Sequence, residues 1–139
     1  MSEESKAVVQ KVYDAINAGD LGALAAAVAD DFVEHELQPG VPPNKDGVIQ
    51  FFTGVASAFE GFRMDIEAMH AEGDRVSILC SAHGKHVGDF LGIPGTGKDV
   101  SVPVADFFRV RGDQVCEHWG VMDSGAMLMQ MGILQPPGA

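Results

Sequence analysis

Apolar and polar positions in the first half of the chain follow a helical period. Val8, Val9, Val12, Tyr13 and Ile16 mark one face of a first helix, with Ser2 or Ser5 as its N-cap and Gly19 as its C-cap. Asp20 caps a short Ala-rich helix carrying Leu21, Leu24, Ala25 and Val28, which ends near Asp30-Asp31. A brief strand, Phe32 to Leu37, leads into the breaker-rich loop Pro39-Gly40-Val41-Pro42-Pro43. Asn44 opens the most regular amphipathic helix, with Val48, Phe51, Phe52, Val55 and Phe59 at i, i+3, i+4, i+7 and i+11.

From Gly61 the period falls to two. Phe62, Met64, Ile66 and Ala68 alternate with Arg63, Asp65 and Glu67, and Glu72-Gly73-Asp74 signals a turn. Val76, Ile78, Cys80 and Ala82 continue the alternation as far as His86. A Gly/Pro-rich excursion, Gly88 to Gly97, precedes a strand from Val100 to Arg111. Gly112-Asp113 turns the chain into a last strand, Val115 to Asp123, and the Met-rich segment Ala126 to Leu134 predicts a terminal helix. Helices followed by hairpin-linked strands spell an α+β domain, its antiparallel sheet curling so that a pocket forms beneath the helices.

At 139 residues and 14.7 kDa, the chain predicts one domain spanning 1–139. A 46% hydrophobic share excludes disorder. Nine basic residues against 20 acidic ones leave a net charge of −11, with no basic cluster to offset it locally. Nucleic acid and anionic membrane surfaces are therefore not expected partners. The longest apolar run, Ala23 to Ala29, has seven residues, far short of the roughly 18 a spanning helix needs. With a charged start and no leader-like stretch, a cytoplasmic location is expected. Cys80 and Cys116 lie in apolar strands and read as small buried hydrophobes. No His-x-His, His-Glu-x-x-His or Cys-x-x-Cys spacing exists, so no metal site is expected. Gly92 to Gly97 lacks Walker spacing and leads into a strand, and no nucleophile elbow occurs. No cofactor is implied.

The run His86-Val-Gly-Asp-Phe-Leu-Gly-Ile-Pro-Gly-Thr-Gly-Lys98, then Ala105-Asp-Phe-Phe-Arg109, then Glu117-His-Trp119 with Asp123 beyond, resembles the SnoaL-like polyketide cyclases. Val9-Gln-Lys-Val-Tyr-Asp-Ala-Ile-Asn-Ala-Gly-Asp-Leu21 and Asp31-Phe-Val-Glu-His-Glu36 fit the same family. The resemblance implies the cone-shaped α+β barrel of the nuclear transport factor 2 and ketosteroid isomerase superfamily. In that fold a curved, mostly antiparallel sheet and three N-terminal helices enclose an internal pocket. It also implies a homodimer, as does an outer sheet face carrying apolar residues that need cover. The fold alone does not select a reaction.

Several side chains are candidates for chemistry. Asp123 ends the last strand in phase with Val115, Glu117, Trp119 and Val121. On a pocket-lining face it would be a carboxylate in apolar surroundings, able to exchange a proton; otherwise it caps the final helix. The family resemblance assigns an Asp here the acid/base role in an intramolecular aldol closure. Asp106 interrupts the apolar face of Val102, Val104 and Phe108, and a carboxylate there must be paired, hydrogen-bonded or neutral. In ketosteroid isomerases an Asp in a similar setting stays protonated and donates to an oxyanion; a salt bridge with an Arg or His is the alternative. Tyr13 resembles a pocket-lining Tyr of the cyclases, or is a core Tyr with a tethered hydroxyl.

Glu36 falls where the isomerases keep their base, and His35 alternates away from it onto the other face. His118 points away from Glu117 and Trp119 on strict alternation unless a β-bulge intervenes. Expected pocket walls are Phe52, Phe90, Phe108, Trp119 and Met residues, with Glu36, His35 and His118 as further pocket candidates. These features predict a cofactor-free enzyme acting by acid/base chemistry on a hydrophobic, carbonyl-bearing small molecule, with Asp123, Asp106 and Tyr13 as its catalytic groups. A carrier of apolar polycyclic ligands and a dimeric interaction scaffold are the alternatives.

Overall fold

The computed structural model describes residues 1–138. Helices α1 (Ser2–Ala18) and α2 (Leu21–Ala27) run into strand β1 (Val28–Glu34), and α3 (Lys45–Ala58) follows. Strands β2 (Phe59–Glu72), β3 (Arg75–His86), β4 (Asp99–Arg111) and β5 (Gln114–Met122) then succeed one another before α4 (Ser124–Gln130). The curved open sheet has the order β1-β5-β4-β3-β2, antiparallel except where β1 joins β5 in parallel. This is the expected α+β architecture, with the Met-rich segment adding a fourth helix. No helix among the described residues is long and apolar enough to cross a membrane.

Local chemistry explains the boundaries. Asp20 accepts from the Ala23 amide and Asn44 from the Gly47 amide, so both predicted N-caps form. Gly19 closes α1 in the left-handed conformation, where a side chain would be strained. Ser2 and Ser5 do not cap α1. Instead the Ser5 hydroxyl donates to the Gly73 carbonyl and the Ser2 hydroxyl accepts from the Gly73 amide at the β2–β3 turn, pinning one end of the helix to the sheet. At the other end Asn17 brackets the Met64 backbone with two hydrogen bonds, at 2.7 and 2.9 Å. Helix α2 stops earlier than its apolar pattern predicts, because Val28 and Ala29 turn extended and are buried in β1.

The core fills the concave side of the sheet. Val8, Val9, Val12 and Tyr13 of α1 meet Val76, Ile78 and Cys80 of β3 and Val104, Phe108 and Val110 of β4. The excursion after β3 folds back over α3, where Phe90 packs edge-on against Phe59 at 5.0 Å. His86 anchors it: fully buried, its Nδ1 lies 3.0 Å from the Thr96 hydroxyl.

One irregularity decides what faces the concave side. Arg109 pairs with Glu117 but Val110 pairs with Val115, leaving Cys116 as an extra residue in β5. Val115 and Cys116 are both buried, and the side-chain phase reverses after this bulge. His118, Gly120 and Met122 therefore join the face of Phe108, Asp106 and Val104 opposite them, while Glu117, Trp119 and Val121 face outward.

Candidate active site

Beneath α1 and α3 the concave face encloses a cavity of about 160 Å³. That is comparable to apolar cavities that admit a single aromatic ring. Its walls are overwhelmingly apolar, including Val12, Ile16, Phe52, Phe90, Val102, Phe108, Met122 and Met127. Its polar side chains are those of Tyr13, Glu34, Glu36, Asp106 and His118, with Gln38 and His83 at other points of the wall. Partly exposed Gln38, Val41 and exposed Pro42 mark the side that opens to solvent.

The polar groups form a chain. Tyr13 donates its hydroxyl to Asp106 Oδ2, and the Cys80 thiol approaches the same oxygen at 3.7 Å. His118 Nε2 sits 2.8 Å from Asp106 Oδ1, and its Nδ1 sits 2.6 Å from Glu34 Oε2. Burial alone would strip the proton from His118, but the two flanking carboxylates outweigh it and push its pKa up to about 10. His118 is thus an imidazolium at neutral pH, gripped from both sides. Three donors converge on Asp106, so both of its oxygens are engaged as acceptors within the chain. Of the two expectations for Asp106, the geometry matches the ion pair with a His. Burial, reinforced by the nearby Asp106 charge, raises the Tyr13 hydroxyl above its ordinary range and pushes the Cys80 thiol up to about 12, so both stay protonated.

Glu36 is the exception to this mutual satisfaction. Its backbone amide donates to Glu34 Oε2, but its carboxylate makes no hydrogen bond to the described chain. That carboxylate lies within 4.8 Å of ligand-type atoms on both Glu34 and His118. Burial raises its pKa, and the His118 charge opposes the rise only in part. A carboxyl group lifted toward neutrality and facing an apolar cavity is able to take and return a proton. Glu34, Glu36 and His118 are also the ligand types of a metal site. As folded, however, both His118 nitrogens point at carboxylates, so an ion would first have to displace the imidazolium's protons.

Residues 6–131 match the family model described as SnoaL-like polyketide cyclase. The chain belongs to the SnoaL-like polyketide cyclase family. TsrD from Streptomyces laurentii is similar, with a TM-score of 0.86 at 25% identity over 95% of this chain and 97% of that one. AclR from Streptomyces galilaeus, a candidate hydroxylase, gives 0.84 at 27% identity, covering 97% and 100% of the two chains. IdmH from Streptomyces antibioticus, a candidate polyketide cyclase, gives 0.81 at 28% identity over 92% and 98%. No curated protein matches significantly. Membership of the SnoaL-like family and these neighbours support a general role as a small-molecule enzyme.

Within this SnoaL-like fold, the expected site residues separate into two groups. Tyr13, Glu36, Phe52, Phe90, Asp106, Phe108 and His118 all line the cavity. Asp123, Trp119 and His35 do not. Asp123 is exposed and accepts from the Ala126 amide at 2.9 Å as the N-cap of α4. The phase that aimed it inward from Val115 is broken by the bulge at Cys116. For the same reason Trp119 lies on the outer face, stacked on His35 with ring centroids 4.5 Å apart. His35 is tied there to Glu117 at 2.8 Å. Glu34 and Cys80 complete the chain without having been expected there. The signal for Glu34 was present in its alternation with Glu36, two residues along the same face.

Proposed function

We propose that this protein is an acid/base enzyme that moves a proton at a carbon next to a carbonyl in a neutral, hydrophobic small molecule. Glu36 is the base, and the fixed positive charge of His118 stabilises the enolate. Asp106 and Tyr13 act behind it. Asp106, held by Tyr13, keeps His118 charged and oriented, and Glu36 takes the acid/base role anticipated for Asp123. The observation that carries the reading is the unpaired Glu36 carboxyl facing an apolar cavity beside a buried imidazolium. The chemistry asks only for these side chains, and an intramolecular aldol closure would begin with the same proton transfer.

The test needs no knowledge of the natural substrate. 2-Tetralone, a neutral ketone with acidic hydrogens, is incubated with the protein in deuterated buffer and followed by NMR. Exchange faster than the buffer background is expected. Saturable binding without accelerated exchange would overturn the enzyme reading in favour of a ligand carrier.

The outer sheet face supports a homodimer. Leu79, Ala105 and Val121 lie side by side across β3, β4 and β5, next to the Phe107–Trp119 pair. Val121 is 67% exposed and Leu79 45%. Such a contiguous patch is costly in water and fits a self-complementary interface. Size-exclusion chromatography with light scattering should give twice the chain mass, and Val121→Glu should give the single chain. A monomeric wild type would refute the dimer.

A further inference from the structure

Gly120 stands inside β5, where a glycine weakens a strand and commonly marks a close approach. Its backbone does not call for glycine, because its φ is not among the positive values of this chain. Space does. A Cβ at position 120 would fall 2.4 Å from Glu36 Oε1, 2.9 Å from Glu36 Cδ and 2.8 Å from His118 Cε1. Other crowded glycines differ in kind. A Cβ on Gly47, Gly88 or Gly95 would meet a backbone carbonyl, of Pro42, Ser57 or Val87, and one on Gly84 would meet the Phe59 side chain, so these four serve packing. At Gly120 the atoms in the way are the side chains of the two groups assigned to the chemistry.

The geometry points to Gly120 as a positioning residue: the notch left by its missing side chain is the seat that holds the Glu36 carboxylate against His118 and inside the cavity. This inference rests on Glu36 being the base. The bulge at Cys116 turns residue 120 inward, opposite Asp106. The bond from the His35 amide to the His118 carbonyl, 2.9 Å long, lays the start of the next segment alongside β5. Glu36 follows directly and drops its carboxylate into the notch. With a methyl group there, the carboxylate must swing outward, where water restores its solvation. Distance from His118 and hydration both follow from that one displacement. A shift of about 1 Å in a reacting group is enough to cost about 100-fold in rate.

The decisive experiment follows Glu36 itself. Carbon-detected NMR titration of ¹³C-labelled glutamate carboxyls, with the Glu36 signal assigned by its loss in Glu36→Gln, is run on wild type and Gly120→Ala. In wild type, Glu36 is expected to titrate above the ordinary glutamate range. In Gly120→Ala it should fall back toward that range, with tetralone exchange down about 100-fold in kcat and KM little changed. Glu36→Asp withdraws the carboxylate by one methylene and makes room for the new methyl. It should therefore slow the wild type but recover part of the lost rate in the Gly120→Ala background. If Gly120→Ala leaves both the titration and the rate of Glu36 unchanged, the seat is refuted while Glu36 as base stands. If wild-type Glu36 titrates as an ordinary glutamate and Glu36→Gln keeps its rate, the parent reading fails and this one with it. Should Gly120→Ala not fold, the double variant decides: recovery of the fold upholds the seat, and an unfolded double variant overturns it.

Discussion

Glu36→Gln is expected to lower kcat for proton exchange by about two to four orders of magnitude, the usual span for a positioned general base. The amide keeps the size of the carboxyl but cannot take a proton. Because burial favours the neutral form of Glu36, an uncharged isostere costs the fold nothing at neutral pH, and the melting temperature should hold or rise. The pH profile gives a second readout. Activity requires ionised Glu36, so it should climb with pH through a midpoint above the ordinary 4.5, and fall again near 10 as His118 loses its proton. Asp123→Asn serves as the control. Asparagine caps a helix as well as aspartate does, and Asp123 lies outside the cavity, so rate and stability should both be retained. A full-rate Glu36→Gln protein, or a dead Asp123→Asn protein, would reverse these assignments.

His118→Ala is expected to destabilise the fold by about 3–5 kcal/mol, the cost of leaving buried charges without their partner. Asp106 is only 4% exposed, and the His118 side chain between it and Glu34 only 11%. Removing the imidazolium leaves two carboxylates facing a cavity with little water to solvate them. Adding Asp106→Asn to His118→Ala should recover part of the loss, since it removes one of the stranded charges. The pH dependence has a definite sign. His118 has a pKa of about 10 when folded against 6.5 as its ordinary value, so its contribution is complete below about 6.5. The contribution erodes as pH rises from there to about 10. Denaturant titration at a series of pH values should show that decline in wild type and its absence in His118→Ala. Equal slopes in the two proteins would mean that the ion pair is not what couples folding to protons.

The elements of this fold were legible in the chain because their signals are local. Asp20, Asn44 and Gly19 satisfy helix ends within four residues of themselves, and the hairpins turn where glycine permits it. Tyr13, Phe52, Asp106 and Phe108 could be placed toward the interior because each stands in an unbroken period with its neighbours. Glu36 follows instead from likeness to the isomerases, and Phe90 lies in the Gly/Pro-rich excursion, outside any period. Asp106 is a lone carboxylate in an apolar strand, and burial there demands a partner.

What the sequence could not supply was the phase of β5 beyond Cys116. Alternation carries side-chain direction along a strand only while every residue is paired in turn, and one extra residue inverts all that follow. That inversion put His118 and Gly120 on the inner face and sent Trp119 outward. It left Asp123, past the end of the strand, to cap α4. Whether a bulge forms depends on how β4 pairs across the hairpin and how β1 packs alongside, contacts between residues far apart in the chain. The same holds for the ion chain of Glu34, His118, Asp106 and Tyr13, whose members come from three strands and a helix. Residue types and periods determined the architecture and the apolar interior. Only the tertiary structure decided which carboxylates are spent holding a charge and which one is left free, because that depends on partners brought together by folding.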